Sequence, residues 1–286
     1  MTFGEALRSG SDAFAAAGLD TPWLDALVLL SACAGRDKAA VYASFTDPVP
    51  EEAASAFRRA MGRRLEGVPV SYILGRKEFY GLSFQVDPRV LVPRPDTETL
   101  VEAALEILER DPAVRRLHDL CTGTGCVALA VAASLPRGRR LGISASDLSG
   151  DALEVFRLNS RGILGRELPH YRSDLLASVP GVYDMITANP PYITRRETAA
   201  MKASGWPEPA LALDGGEDGL DVFRRLAGEA VESLTENGYL LVEGADDQAD
   251  TMGEILTERG FRDLRWVRDL AGRRRVTVGR RGSGYV

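Results

Sequence analysis

From Asp96 onward, strand-length apolar runs alternate with segments of helical period, and this alternation limits the fold more than any other feature of the chain. A helix is predicted over Thr97–Glu109, then a strand over Arg116–Cys121 and a helix over Val127–Ala133. The strand Leu141–Asp147 precedes the helix Asp151–Ser160, and two shorter strands fit Tyr171–Asp174 and Tyr183–Ala188. After a helix over Leu220–Leu234 come the strand Tyr239–Glu243, the helix Asp247–Arg259, and the strands Leu264–Arg268 and Arg275–Val278. Seven strands, most with helices between them, predict an α/β fold with a doubly wound, Rossmann-like sheet. The last two strands have no helix between them and are expected to pair antiparallel at one edge.

The preceding part reads differently. Phe3–Ala17 has apolar residues at helical spacing and stops at Gly18, and Thr21-Pro22 opens a second helix, Trp23–Ala34, ended by Gly35. Further helices fit Lys38–Ser44 and Pro50–Glu66, giving a small helical bundle in which Trp23 and its leucine-rich helix read as core. Lys77–Val86 looks like a β-hairpin, and Asp87-Pro88 turns the chain toward Val90-Leu91-Val92. The expected domains are therefore 1–72 (helical), 73–95 (hairpin linker) and 96–286 (sheet).

The formal net charge of -6 argues against a broad nucleic-acid footprint, with the arginine pairs scattered over solvated faces. Cys33, Cys121 and Cys126 form no CxxC pair, and the two histidines, His118 and His170, give little support to a metal site or to Ser-His-Asp chemistry. No segment has the pattern of a signal peptide or the length of a membrane span, so a soluble cytoplasmic protein is expected.

Asn189-Pro190-Pro191-Tyr192 follows the strand Tyr183–Ala188. Two prolines stop a strand by removing two donors and fixing two φ angles. The stiff loop offers an amide that donates and accepts, and a flat ring with a polar tip. Oxygens here can accept both hydrogens of a planar NH2 group while the ring covers its plane. By itself the tetrapeptide serves equally as a proline turn.

Asp119-Leu120-Cys121-Thr122-Gly123-Thr124-Gly125 lies where the first strand of the sheet gives way to a helix, the place where open α/β sheets hold ligands. Gly123, Gly125 and Ala128 satisfy only a relaxed dinucleotide pattern, and no GK[ST] follows to make a phosphate loop. Asp147 ends the second strand, where a carboxylate can accept both ribose hydroxyls of a nucleoside, in a dinucleotide or otherwise. Asp174 ends the third, placed to meet the exocyclic amine of adenine. Together these residues fit an adenosyl ligand carrying no phosphate.

With the tetrapeptide after strand four, the chain resembles class I S-adenosylmethionine-dependent methyltransferases acting on planar amines. Phe79-Tyr80-Gly81-Leu82-Ser83-Phe84, and Pro93-Arg94-Pro95-Asp96-Thr97-Glu98, resemble the FxGLxF and PRPETE signatures of the peptide chain release factor glutamine methyltransferases. Pro69–Gly75, Glu208–Leu211, Gly215–Gly219 and Asp269–Arg273 are similar to further segments of that family, so the resemblance covers nearly the whole chain. A sister family acting on a ribosomal protein shares the fold and NPPY but not PRPETE. Here Cys121 stands for the first glycine of DxGxGxG, implying a backbone there that needs no glycine φ, Asp96 for a frequent Glu, and Leu175 for a Trp of some relatives, implying aliphatic cover for adenine.

The resemblance implies methyl transfer from S-adenosylmethionine to the N5 amide nitrogen of the glutamine in the GGQ loop of release factors, with no metal. It implies cofactor contacts from Asp119, Cys121, Thr122, Gly123, Thr124, Gly125, Asp147, Asp174, Leu175 and Asn189. Asn189, Pro190 and Tyr192 are the expected catalytic residues, and Pro191 joins them in binding the substrate. The helical domain is expected to help hold the release factor, and the enzyme to act as a monomer. His118, His170 and the two loop cysteines read as structural; Arg94 serves either the protein substrate or an ion pair. The competing readings are a glutamine methyltransferase of a ribosomal protein, an adenine-N6 methyltransferase on RNA or DNA, and a non-catalytic binding module.

Overall fold

The computed structural model describes residues 1–282; residues 283–286, the end of the expected sheet domain, lie outside the described residues. The chain divides into two units, Met1–Arg76 with Gly205–Pro207, and Lys77–Ser204 with the chain from Glu208 onward.

The first unit contains α1 (Phe3–Ala16), α2 (Pro22–Ala34), α3 (Lys38–Ala43), α4 (Glu51–Leu65) and the short α5 (Val70–Leu74). Thr2 and Glu5 form a capping box at the start of α1, and Pro22 with a left-handed Gly35 bounds α2. Phe3, Leu7 and Phe14 of α1, Leu29 and Leu30 of α2, and Phe57 of α4 form its core. A Cβ at Gly10 would lie 2.8 Å from the Phe57 ring, so a hydrogen there lets α1 approach α4. Trp23 departs from the expectation that it is core: it is 38% exposed, and its indole nitrogen donates to the Tyr42 hydroxyl at 2.8 Å. It lies in the first turn of α2, ahead of the buried residues Asp25 to Leu27 and Leu29 to Ser31.

The second unit begins inside β1 (Arg76–Phe79), which forms a hairpin with β2 (Leu82–Gln85), followed by a 3-10 turn over Pro95–Thr97 and α6 (Glu98–Arg110). Then come β3 (Arg116–Leu120), α7 (Cys126–Ser134), β4 (Gly142–Asp147), α8 (Gly150–Leu164), β5 (His170–Arg172) and β6 (Tyr183–Ala188). The rest is α9 (Arg195–Ala203), α10 (Asp221–Ser233), β7 (Leu234–Glu243), α11 (Ala249–Glu258), β8 (Phe261–Arg268) and β9 (Arg274–Arg281).

The sheet order is β5-β4-β3-β6-β7-β9-β8, with β3 to β7 parallel. β9 runs antiparallel between β7 and the edge strand β8, as the missing helix predicted. α6, α7, Phe156 of α8 and the hairpin phenylalanines cover one face; α10 and α11 cover the other. In β6, Met185 joins the first core and Ile186 the second, which is the period-2 alternation of a strand buried on both sides. α5 and α9 were not anticipated. Yet Thr194-Arg195-Arg196-Glu197 forms a complete capping box at the start of α9, so its signal was present in the sequence.

From β3 the chain builds outward through β4 and β5, then returns to place β6 on the other side of β3. This is a topological switch point, where the carboxyl ends of neighbouring strands leave a crevice.

Candidate active site

A cavity of about 320 Å³ opens at that crevice, lined by the glycine loop, Asp147, Asp174, Leu175, Asn189 and Pro191 among others. β3 and β6 are paired with Leu120 opposite Ala188, so the glycine loop and the Asn189 loop leave the sheet side by side. Residues nearly seventy positions apart in the chain meet for this reason.

The glycine loop is fixed from below by Asp119. Its Oδ2 accepts from the Thr122 hydroxyl at 2.6 Å and its Oδ1 from the Thr187 hydroxyl at 2.8 Å. At 1% exposure Asp119 reaches the cavity wall only marginally, and burial raises its pKa to about 6. Cys121 has φ +53, so this position is left-handed although it carries a side chain, and Leu175 has φ +49. Left-handed backbone costs a non-glycine residue about 1–2 kcal/mol, and of the five such residues among those described these two line the cavity. Gly125 has φ +82, and a Cβ there would stand 2.5 Å from the Phe156 ring. Gly123, at φ +52, faces open space instead.

Asp147 Oδ2 accepts from Gly123 N at 2.9 Å and Oδ1 from Ser149 N at 2.9 Å, tying the second strand end to the loop. Desolvation raises its pKa, and those two amides oppose the shift. Asp174 stands two residues beyond β5 and accepts from Arg225 at 2.8 Å. Burial pushes the Cys126 thiol up to about 12 and the Cys121 thiol higher still, which leaves both as neutral packing groups. His118 is enclosed, with Nδ1 at 2.8 Å from the Ser144 hydroxyl and Nε2 at 2.9 Å from that of Ser146; desolvation lowers its pKa to about 3, so it is neutral and structural.

A cofactor without phosphate fits this wall. The open space at Gly123 lets the ligand approach backbone, Asp147 offers carboxylate oxygens, and Leu148 and Leu175 supply apolar cover. The wall carries four carboxylates, Asp119, Asp147, Asp174 and Asp214, and three arginines, Arg89, Arg94 and Arg225, with Asp174 paired to Arg225.

On the other side, the Asn189 side-chain amide donates to the Thr97 hydroxyl at 3.3 Å, leaving Oδ1 as its acceptor. Asn189 and Pro191 line the cavity; Pro190 is buried, and Tyr192 stands behind the wall with its hydroxyl 3.4 Å from Glu243 Oε1. Arg94 is engaged by an ion pair with Glu208, which is 1% exposed and also accepts from Val92 N at 2.9 Å. Arg94 thus forms the ion pair while its side chain, 40% exposed, also lines the cavity.

Sequence reasoning missed Thr97 as the partner of Asn189, and it missed Glu243, Gln248 and Asn159. Asn159 Oδ1 accepts from Gln85 N at 2.7 Å, while its Nδ2 donates to Gln85 O at 3.1 Å and Thr124 O at 2.9 Å, so it ties the hairpin to the glycine loop. Glu243 ends a strand, the same signal that selected Asp147. Among the described residues no group of His, Cys, Asp or Glu side chains stands close enough to hold a metal, and no helix is long and apolar enough to cross a membrane.

Residues 5–75 match the model of the PrmC N-terminal domain, and residues 97–204 that of the methyltransferase small domain. The release factor glutamine methyltransferase of Bordetella pertussis is 38% identical over 260 residues, 90% of this chain and 94% of that protein. That of Moorella thermoacetica is 38% identical over 279 residues, 96% of this chain and 97% of the relative. The solved structure of the Thermus thermophilus 16S rRNA N2 G1207 methyltransferase, in complex with AdoMet and guanosine, has a TM-score of 0.52 at 17% identity. It covers 72% of this chain and 49% of that one, and shares the fold alone. Matched at this identity from end to end in both proteins, the chain belongs to the release factor glutamine methyltransferase family.

Proposed function

We propose that this protein transfers a methyl group from S-adenosylmethionine to the N5 side-chain amide nitrogen of the glutamine in the GGQ loop of peptide chain release factors. The observation that carries the proposal is the orientation of Asn189. Its amide nitrogen is committed to Thr97, so its oxygen is the acceptor available at the cavity wall, beside the glycine loop.

A carboxamide nitrogen is a weak nucleophile because its lone pair is delocalised into the carbonyl. The bound cofactor supplies an electrophilic methyl group on a positively charged sulfur. Asp147, Asp174, Leu175 and the backbone of Thr122–Gly125 would hold it. The protein's task is to align the acceptor and to favour charge on its nitrogen. Asn189 Oδ1 and the Pro190 carbonyl each accept one amide hydrogen, and Tyr192 stiffens the far side of the loop. Alignment of this kind supplies on the order of 7–11 kcal/mol of a barrier, with preorganised acceptors adding to it. No strong base is required, since the proton becomes acidic once the nitrogen carries the methyl group.

Support for the substrate comes from the names of the relatives and their match along both chains. The helices of residues 1–72 would help hold the release factor, residues 73–95 join them to the catalytic part, and the enzyme works as a cytoplasmic monomer; the net charge of -6 speaks against nucleic acid as the substrate. The test is a labelled-methyl assay on Asn189→Ala with cofactor binding measured in parallel. Transfer should be lost while binding persists; near-normal turnover would overturn the mechanism.

A further inference from the structure

Behind the Asn189 loop lies a buried carboxylate that the reaction above does not use. Glu243 ends β7, is 1% exposed, and follows Val242, which pairs with Ala188 just before Asn189. Its Oε1 accepts from the Tyr192 hydroxyl at 3.4 Å, and its Oε2 is buried without a hydrogen-bond partner. Nearby Arg275 is 8% exposed but is shared by Asp96 at 3.0 Å and Asp269 at 3.3 Å. The Tyr192 hydroxyl therefore meets this carboxyl group directly, and the Thr97 side chain also hydrogen-bonds it, opposing the effect of burial.

The backbone of Tyr192 is gripped from the same end of β7. Gln248 Nε2 donates to Tyr192 O at 3.0 Å and to Asp218 O at 3.4 Å, while its Oε1 accepts from Ala245 N at 3.1 Å. The next residue, Ile193, donates to Leu213 O at 3.0 Å and accepts from Gly215 N at 2.8 Å. A Cβ at Gly219 would stand 2.3 Å from Tyr192 O, and one at Gly215 2.8 Å from Tyr192 Cα, so these glycines let the two loops touch.

We infer that Glu243 is a positioning residue for the acceptor loop: it holds the Tyr192 ring through the hydroxyl while Gln248 holds the same residue's carbonyl. This rests on the methyl-transfer function proposed above. Glu243 touches neither cofactor nor acceptor; it acts by keeping Tyr192, and through it Asn189 and Pro190, in one geometry. Small misplacements of reacting groups cost large factors in rate, which is why a buried acid is worth retaining at this point.

The experiment compares the full chain with Glu243→Gln, Glu243→Leu, Tyr192→Phe and the Glu243→Leu/Tyr192→Phe pair. It measures kcat for release factor methylation, cofactor Kd by calorimetry, and the 13C resonance of the labelled Tyr192 Cζ. Glu243→Gln keeps an oxygen acceptor and should hold kcat within about fivefold. Glu243→Leu should lower kcat about 10²-fold with cofactor Kd unchanged, and should add little in the Tyr192→Phe background. The Cζ resonance, assigned by its absence in Tyr192→Phe, should move in Glu243→Leu with no substrate present. An unmoved resonance, or an equal loss of kcat from Glu243→Leu in both backgrounds, would overturn the inference. A wild-type chain that fails to methylate release factors would instead overturn the function, and the resonance would still decide the role of Glu243.

Discussion

The glycine loop after β3 is braced by side chains beside it in the chain or on adjoining elements, whereas the Asn189–Tyr192 loop is braced from four remote segments. Asp119 with Thr122 and Thr187, and Asp147 with Gly123, secure the first. The second depends on Thr97, the turn around Gly215–Gly219, Glu243 and Gln248. A cofactor pocket can be built from one strand–turn–helix unit and its neighbour. Presenting a weak nucleophile in line needs constraint from several directions, and only tertiary structure supplies it.

The contrast is broken most severely at Asn189. Asn189→Ala should lower turnover by on the order of 10²–10³-fold, as loss of one preorganised polar contact does, with cofactor affinity preserved in calorimetry. Gly219→Val should come next. The added side chain meets Tyr192 O and Gln248 and must also adopt φ +80, so the acceptor loop shifts; turnover should fall about 10²-fold while cofactor still binds. Loss of cofactor binding in that variant would show the two halves to be one unit.

Asp147→Ala tests the other side. Removing the carboxylate should weaken cofactor binding by roughly 10–100-fold while turnover at saturating cofactor changes little. Equal affinities would remove Asp147 from the cofactor site.

The fold was legible because buried parallel strands and amphipathic helices write their periods directly into the sequence, and the strand-end acids and glycines follow those periods. What was not legible came from elsewhere. Thr97 sits in a motif but finds Asn189 only because α6 packs across β7 and β9, beside β6 in the sheet. Gln248 and Gly219 meet Tyr192 through a loop-to-loop approach that no local period encodes. Cys121 shows a further limit: its backbone keeps φ +53 although glycine is absent, so residue type alone concealed the conformation. Asn159 lies on a face of α8 that reads as ordinary helix, yet it joins the hairpin to the glycine loop.

Asn159→Ala should therefore act on stability. It leaves backbone groups of Gln85 and Thr124 unpaired, which costs about 1–3 kcal/mol and should appear as a lower melting temperature; an unchanged melting curve would show that water replaces the side chain. The smallest expected effect is a pH dependence. Burial raises the Glu243 pKa to about 7 from its ordinary 4.5, so the folded chain binds more protons than the unfolded chain between those values. Its stabilising contribution is complete below the ordinary value and is lost as pH rises through the folded one. Asp119, at about 6, adds the same trend at lower pH. Melting temperature should fall from about pH 4.5 to about pH 7, and Glu243→Gln should flatten the upper part of that slope.

The central claim is that the cavity joins a methyl donor to a glutamine amide of a release factor. The direct measurement is labelled-methyl transfer from S-adenosylmethionine to purified release factor, with ribosomal protein and RNA as competing acceptors, followed by mass spectrometry of the product peptides. One methyl group is expected on the side-chain nitrogen of the GGQ glutamine, absent with Asn189→Ala. Methyl groups found only on a ribosomal protein or on RNA would contradict it.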